Sequence, residues 1–448
     1  MNILCHVGPW CVEQYREIAK NVESSARIDM ISGFKNVDKT GFVNHYYSLL
    51  KEREPLNDFS ISQEVADDII ARCRLLRSLD KKIAMRHIYC AHVAIAKVFE
   101  DTKPDIVISE TIDQYLIDLI HFECHRLNIP FVGIVISFIN GYYRISAKGE
   151  LNKYRTPSNE EVDHTIRILS QASYKPTFIV RSSSSHIKSA MIRWFKNTLR
   201  IPYFIVKRWV SGEIYNYHYW ASAVSALNDF HIFPRIFLGN DKWKACLSSS
   251  EKRTIYIPLQ MFPEATIEYW CKNLEVIKYQ DSLISMVGKL SKSYNIIIKE
   301  HPNVIGLRSP NLYDKLLKFN NVYFASMHID SNHLIDISDA VLVWTGTAGF
   351  EAALRGKPVL TVDVPYYAIG PKFKRISKNT PEAEIDRFLE EQSGELTYAE
   401  KYALVSNLLS GLMPGKYIND SSWSPSNPDD LNDSANIGKQ IRKYVCRL

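Results

Sequence analysis

The sequence predicts an α/β protein of two doubly wound lobes separated by a helical, basic stretch. Apolar β-branched runs alternate with helix-period segments at both ends of the chain, over 1–150 and again over 251–392. Residues 151–250 lack clear strand runs and are rich in aromatic and basic residues. At 448 residues the chain exceeds one ordinary core, and a 46% hydrophobic, 12% aromatic composition suffices to fill two.

In order, "MNILCHV" predicts a first buried strand, and "GPWCVEQYREIAKNV" begins with turn residues before taking up helical spacing. Residues 61–100 predict long helices. "KPDIVISE" (103–110) predicts a strand that ends on a carboxylate, "DQYLIDLIHFECHRLN" a helix, and "IPFVGIVISF" the strand that completes a βαβ unit. "NGYYRISAKGELNKYRTPSNEE" carries Gly, Pro, Ser and charges, which predicts a loop closing the first lobe near 150. The second series runs through "RTIYIPLQ" (253–260), a helix over 278–292, "YNIIIKE", "NVYFAS", "NHLIDIS", "DAVLVWT", "AGFEAALRG" and "KPVLTVD". Residues 393–448 are expected as C-terminal helices around a polar tail.

The formal charge of +6 is mild, but from His164 to Gly212 there is no Asp or Glu, while nine Lys and Arg fall inside. Arg193, Lys196 and Arg200 recur at three and four with Trp194 and Phe195 between them, a pattern suited to anions and to the surface of an anionic membrane. A helical cover over a cleft suits the same stretch, and no nucleic-acid-binding module is recognisable. The longest apolar runs are far shorter than the ~20 residues of a spanning helix. The eight scattered cysteines and an N-terminus without a basic, apolar leader pattern predict a reducing, cytoplasmic setting.

In an open parallel sheet, ligands collect at the carboxyl ends of the strands. Lys299, Glu300 and His301 end the strand "NIIIK", and Pro302 stiffens the turn that aims the histidine. They are expected on the rim of a crevice between the lobes. Thr345, Gly346, Thr347 and Ala348 form a small-residue loop before a helix whose unpaired N–H groups would suit a phosphate. Glu351 lies in that helix's first turn, where it would bond a ribose or favour the helix dipole. Gln260 follows the lobe's first strand as a candidate for a base or sugar hydroxyl; Glu264 is either a donor contact or an ordinary helix-start carboxylate. In the first lobe, Glu110 and Asp113 are candidates for a general base or a nucleophile, with a helix-cap role open for Asp113. His6 and Gly8 mark another strand end.

Neither G-x-x-x-x-G-K-[ST] nor a G-x-G-x-x-G after a strand is present, which argues against P-loop ATPases and standard dinucleotide enzymes. His121, Cys124 and His125, and His87, Cys90 and His92, share helix faces but match no zinc motif, so packed histidines and no metal are expected.

"PLQMFPE", "IKEHP" and "TGTAGFEAALRGKPVL", over about residues 253–368, resemble the bacterial capsular polysaccharide biosynthesis family, which includes Kdo transferases. The resemblance implies a GT-B-like fold, a nucleotide-sugar donor bound by the C-terminal lobe and no cofactor. By similarity to bacterial CMP-sialic acid transferases it also implies that His301 and Thr345 or Thr347 hold the donor phosphate, with Lys299 nearby. The implied function is transfer of a sugar, Kdo or another acidic sugar from a CMP donor, onto a glycan or lipid-linked acceptor at the inner face of the cytoplasmic membrane. Rivals are a teichoic-type polyol-phosphate transferase with a CDP-linked donor, a nucleotide-sugar epimerase and a non-catalytic glycan-binding protein. No motif of the family is placed in the first 250 residues, so Glu110 and Asp113 rest on position alone.

Overall fold

The computed structural model describes residues 1–52, 61–171, 174–177, 186–221, 242–304 and 308–447. The chain forms two units. One comprises Met1–Tyr154, Pro202–Val224 and Gly411–Leu448; the other comprises Arg155–Ile201 and Ser225–Ser410.

The first unit is built on a six-stranded sheet whose strands are, in spatial order, Arg27–Ile31 (β2), Asn2–His6 (β1), Ile106–Glu110 (β3), Phe131–Ile136 (β4), Tyr142–Ile145 (β5) and Met413–Pro414 (β12). Its parallel part is β1 (Asn2–His6), β2 (Arg27–Ile31), β3 (Ile106–Glu110) and β4 (Phe131–Ile136). Leu4 and Val107 enter one core while Ile3, Cys5, Ile106 and Ile108 enter another. Both sheet faces are therefore covered, which requires near-continuous apolar strands and explains why "NILCH" and "IVISE" are so readily recognised.

Two expectations about this unit need correction. The stretch expected as a closing loop contains β5 (Tyr142–Ile145), antiparallel to β4. Gly141, at φ +83°, turns the chain back, and the Tyr142 N–H donates to the Ile139 carbonyl at 3.2 Å. The strand is short and carries a buried arginine, Arg144, whose guanidinium donates to the carbonyls of Gly149 and Glu150 at 3.1 and 2.8 Å. Such a pattern reads as polar.

The second correction concerns 393–448, which does not stay together. Its helix Tyr398–Ser410 falls in the second unit, whereas β12 (Met413–Pro414) pairs with β5 and the helix Pro428–Val445 falls in the first. Ile437 and Ile441 share a core with Tyr15, Ile18 and Val22 of the helix Val12–Val22. A Cβ at Gly438 would stand 2.4 Å from the Ile18 carbonyl oxygen, so glycine sets how closely these helices pack.

The second unit holds six parallel strands: β6 (Thr254–Pro258), β7 (Asn295–Lys299), β8 (Val322–Phe324), β9 (Ala340–Val343), β10 (Val359–Thr361) and β11 (Phe373–Arg375). Their order, β8-β7-β6-β9-β10-β11, is the 3-2-1-4-5-6 order of a dinucleotide-binding sheet. Both units are thus Rossmann-like. Among the described residues of 151–250 stand the helices Asn159–Leu169, His186–Val210, Tyr217–Trp220 and Lys242–Ser248, and the stretch is divided between the two units. No helix among the described residues is long and apolar enough to cross a membrane.

Candidate functional site

The strand order of the second unit reverses between β6 and β9, and a crevice for ligands opens outside the carboxyl ends of such a pair. Gln260, just past β6, ties the two strand ends together. Its Oε1 accepts the N–H groups of Trp344 and Thr345 at 3.0 and 2.9 Å, and its Nε2 donates to Thr345 Oγ1 at 2.9 Å. Its backbone N–H donates to Tyr279 Oη at 3.0 Å, and its carbonyl accepts from Arg308 Nη2 at 2.7 Å. With all four polar groups engaged, Gln260 clamps the Thr345–Ala348 loop instead of offering a group to a base or sugar. The loop passes so close that a Cβ on Gly346 would stand 3.3 Å from the Gln260 side chain.

Glu300 also has a framework role that differs from the expected donor contact. It is buried and accepts from Arg308 Nε at 2.8 Å and Nη2 at 3.0 Å, from Tyr313 Oη, and from the His301 N–H at 2.7 Å. Burial pushes its carboxyl up, but the Arg308 charge and these donors outweigh it and hold Glu300 below the ordinary carboxylate range. Arg308 Nη1 is left buried with no hydrogen-bond partner among the described residues.

This framework fixes His301. Pro302 opens a 3₁₀ turn, Pro302–Val304, that brings the Asn303 N–H onto His301 Nδ1 at 3.2 Å. With Nδ1 accepting, the proton of the neutral ring sits on Nε2. Beside it, Lys299 Nζ donates to Ser331 Oγ at 3.0 Å. Burial lowers the Lys299 ammonium to about 8, against the pull of Asp330 and with Lys175 adding to the fall. Glu351 moves oppositely: burial raises it to about 7 against Arg355, with Asp330 adding to the rise and Lys299 opposing it. The switch point therefore holds an amine and a carboxyl that both titrate near neutrality, a pattern concentrated at functional sites.

The helix start at Thr347 is less open than its sequence implies. The helix Ala348–Leu354 is seven residues long, and the N–H groups of Gly349 and Phe350 turn inward onto the carbonyls of Gly346 and Thr347 at 3.1 and 2.9 Å. The Thr347 side chain makes no capping bond. Glu264 is the N-cap residue of the helix Ala265–Glu268, where its side chain makes no capping bond and accepts from Thr266 Oγ1 at 2.7 Å.

In the first unit the order reverses between β1 and β3, and both strand ends carry titratable groups. His6 is buried, lies 3.3 Å from Ser109 Oγ through Nδ1, and is held down at about 4 by burial. Glu110 is raised to about 8, first by burial and then by the Asp113 charge, while hydrogen bonds from Trp10 and Tyr417 oppose the rise. One of its oxygens, Oε1, is enclosed with no hydrogen-bond partner among the described residues. Tyr417 Oη also lies 2.9 Å from Tyr15 Oη. Asp113 does not cap the following helix, Tyr115–Arg126, whose N-cap is Gln114.

Tyr417 had no signal in the sequence. It sits in the polar C-terminal stretch and reaches Glu110 only because β12 and the last helix dock on the first unit. Among the other candidates, Lys196 and Arg200 are exposed on the helix His186–Val210, and the Arg193 side chain lies outside the described residues. His87 Nδ1 pairs with Tyr46 Oη at 2.6 Å, and His92 Nε2 lies 3.2 Å from Glu123 Oε2. No group of ligands that could hold a metal occurs among the described residues.

Residues 216–371 match the family model described as capsule polysaccharide biosynthesis protein. That stretch contains all three motifs of the resemblance and the whole β6–β9 switch point. The chain is also 28% identical over 123 residues to the capsule polysaccharide modification protein LipA of Neisseria meningitidis; the alignment covers 27% of this chain and 17% of that protein's length. Among solved structures, it is similar to the KpsC β-Kdo 2,7 transferase of Thermosulfurimonas dismutans, with 13% identity, 94% of each chain covered and a TM-score of 0.38. It is similar as well to the UDP-GlcNAc 2-epimerase of Methanocaldococcus jannaschii, with 12% identity, 100% and 99% of the chains covered and a TM-score of 0.29.

Proposed function

We propose that this protein is a glycosyltransferase of capsule or surface polysaccharide synthesis that takes its sugar from a nucleotide-activated donor, with CMP-Kdo or another CMP-linked acidic sugar favoured. The reading rests chiefly on one observation: the family match covers the switch point at which Lys299 and the oriented His301 stand.

Transfer leaves negative charge on the departing phosphate, and donors already aimed at that charge lower the barrier most. The Nε2–H of His301 and the Lys299 ammonium supply the donors, with no metal ion assigned a part, and the Thr347 hydroxyl adds a third. At pH 7 an ammonium titrating near 8 is mostly charged, as this role requires. Glu351, close to half-ionised at that pH, is suited to a ribose hydroxyl. On the acceptor side, Glu110 acts on the hydroxyl of a glycan or lipid-linked glycan, burial and then the Asp113 charge keeping its carboxyl high enough to exchange a proton near neutral pH.

Calorimetric titration of CMP, UMP, GDP and ADP tests the donor assignment. CMP-selective binding that His301→Ala abolishes is the expected result. Preference for UMP or GDP would end the CMP assignment, and binding of none of them would end the glycosyltransferase reading.

A further inference from the structure

We infer that the Arg308 guanidinium reads the base of the donor nucleotide, donating from Nη1 to a pyrimidine carbonyl. The inference deepens the donor-site reading and rests on it.

Gln260, the side chain that the sequence offers for a base, is turned onto the Thr345–Ala348 loop instead. Arg308 holds the groups that remain. Its Nε donates to Glu300 Oε2 at 2.8 Å, and its Nη2 donates both to Glu300 Oε1 at 3.0 Å and to the Gln260 carbonyl at 2.7 Å. A guanidinium carries five N–H groups and no acceptor. Three are thus taken by the framework, and the two on Nη1 meet no hydrogen-bond partner among the described residues. Arg308 is only 3% exposed, so bulk solvent does not satisfy them. A buried donor left unmatched is costly, and in a native site it calls for a group that completes it.

The charges identify the acceptor. Glu300 already balances the guanidinium, and both side chains of the pair are enclosed. A phosphate on Nη1 would bring a second anion against a buried carboxylate, where repulsion is little screened. A neutral carbonyl brings no such repulsion. The Tyr279 ring, its centroid 6.0 Å from Arg308 Cζ, keeps the surroundings aromatic, which suits the planar edge of a base. Position agrees with this assignment. Glu300 Oε1 accepts from the His301 N–H at 2.7 Å as well as from Arg308 Nη2, so a single oxygen separates the guanidinium from the backbone of the residue assigned to the phosphate. One nucleotide meets His301 with its phosphate and Arg308 with its base.

The test is calorimetric titration of the full chain with CMP and with ribose 5-phosphate, which keeps the sugar and phosphate but has no base. Wild type should bind CMP about 10- to 100-fold more tightly, the usual contribution of a hydrogen bond from a charged donor. Arg308→Lys keeps a charge beside Glu300 but removes Nη1, and should bring this ratio down toward one. Tyr313→Phe loosens Glu300 without altering the guanidinium and should keep the ratio, even where it weakens both ligands. A ratio that survives Arg308→Lys, or that falls as far in Tyr313→Phe, would overturn the inference and leave the donor site standing. So would equal binding of the two ligands by wild type, a result that decides the matter even if Arg308→Lys fails to fold. Binding of neither ligand by wild type would end the donor-site reading, and this assignment with it.

Discussion

The two switch points are built on the same sheet logic and treat their buried carboxylates in opposite ways. At β7 in the second unit, Glu300 is matched by Arg308, Tyr313 and a backbone N–H, and stays ionised. At β3 in the first unit, burial and then the Asp113 charge raise Glu110 to about 8, and the hydrogen bonds it receives from Trp10 and Tyr417 do not offset them. A fully matched buried charge makes a rigid framework and little chemistry. An under-matched one is costly to ionise, which keeps its proton available for transfer near neutral pH.

The largest effect should come from unmatching the framework. Arg308→Met leaves Glu300 buried without its counter-charge and should destabilise the second unit by about 3–5 kcal/mol, measured by urea unfolding. A loss below ~1 kcal/mol would show that Glu300 is not held as described. Next, Gln260→Leu strands the N–H groups of Trp344 and Thr345. It should cost about 1–3 kcal/mol, and CMP affinity should fall because the Thr345–Ala348 loop is no longer fixed. An unaltered affinity would remove the clamp from the account of the site.

The carboxylates should also respond oppositely to pH. Glu110 binds its proton more tightly folded than unfolded, so its contribution to stability is full below the ordinary carboxylate range and is lost as pH rises toward about 8. Glu300 is depressed, so its contribution is present above the ordinary range and is lost as pH falls through its folded value. Glu110→Gln should therefore flatten the decline in stability between about pH 4.5 and 8 relative to wild type; identical slopes would contradict the assignment. The smallest effect is expected of Tyr417→Phe. Losing that donor to the carboxylate should move the alkaline-going limb of the activity profile upward, with a stability change under ~1 kcal/mol. Tyr417→Phe with an unshifted profile would leave the tyrosine a packing role only.

Much of the second unit was legible because its strands announce themselves. "NIIIK" and "AVLV" are uninterrupted apolar runs, and strand ends in a parallel sheet lie where ligands bind, so the Lys299–His301 and Thr345–Ala348 segments follow from the pattern. Which side chains form framework and which meet a ligand was not legible. Gln260 and Glu300 sit at the right strand ends, but their roles are set by Tyr279, Arg308, Tyr313 and the Trp344 amide, partners 8 to 84 residues distant in sequence. In the first unit, Glu110 stands at the end of an evident strand, yet its environment depends on Tyr417, brought in by a two-residue strand and by a helix packed through Gly438. Short antiparallel additions and close helix contacts leave no periodic trace.

The central claim is that the β6–β9 switch point holds the donor phosphate and the β1–β3 switch point does not. Calorimetric titration of CMP into wild type, His301→Ala and Glu110→Gln separates the two. The account predicts binding abolished by the first substitution and preserved by the second; CMP that binds His301→Ala as tightly as wild type would contradict it.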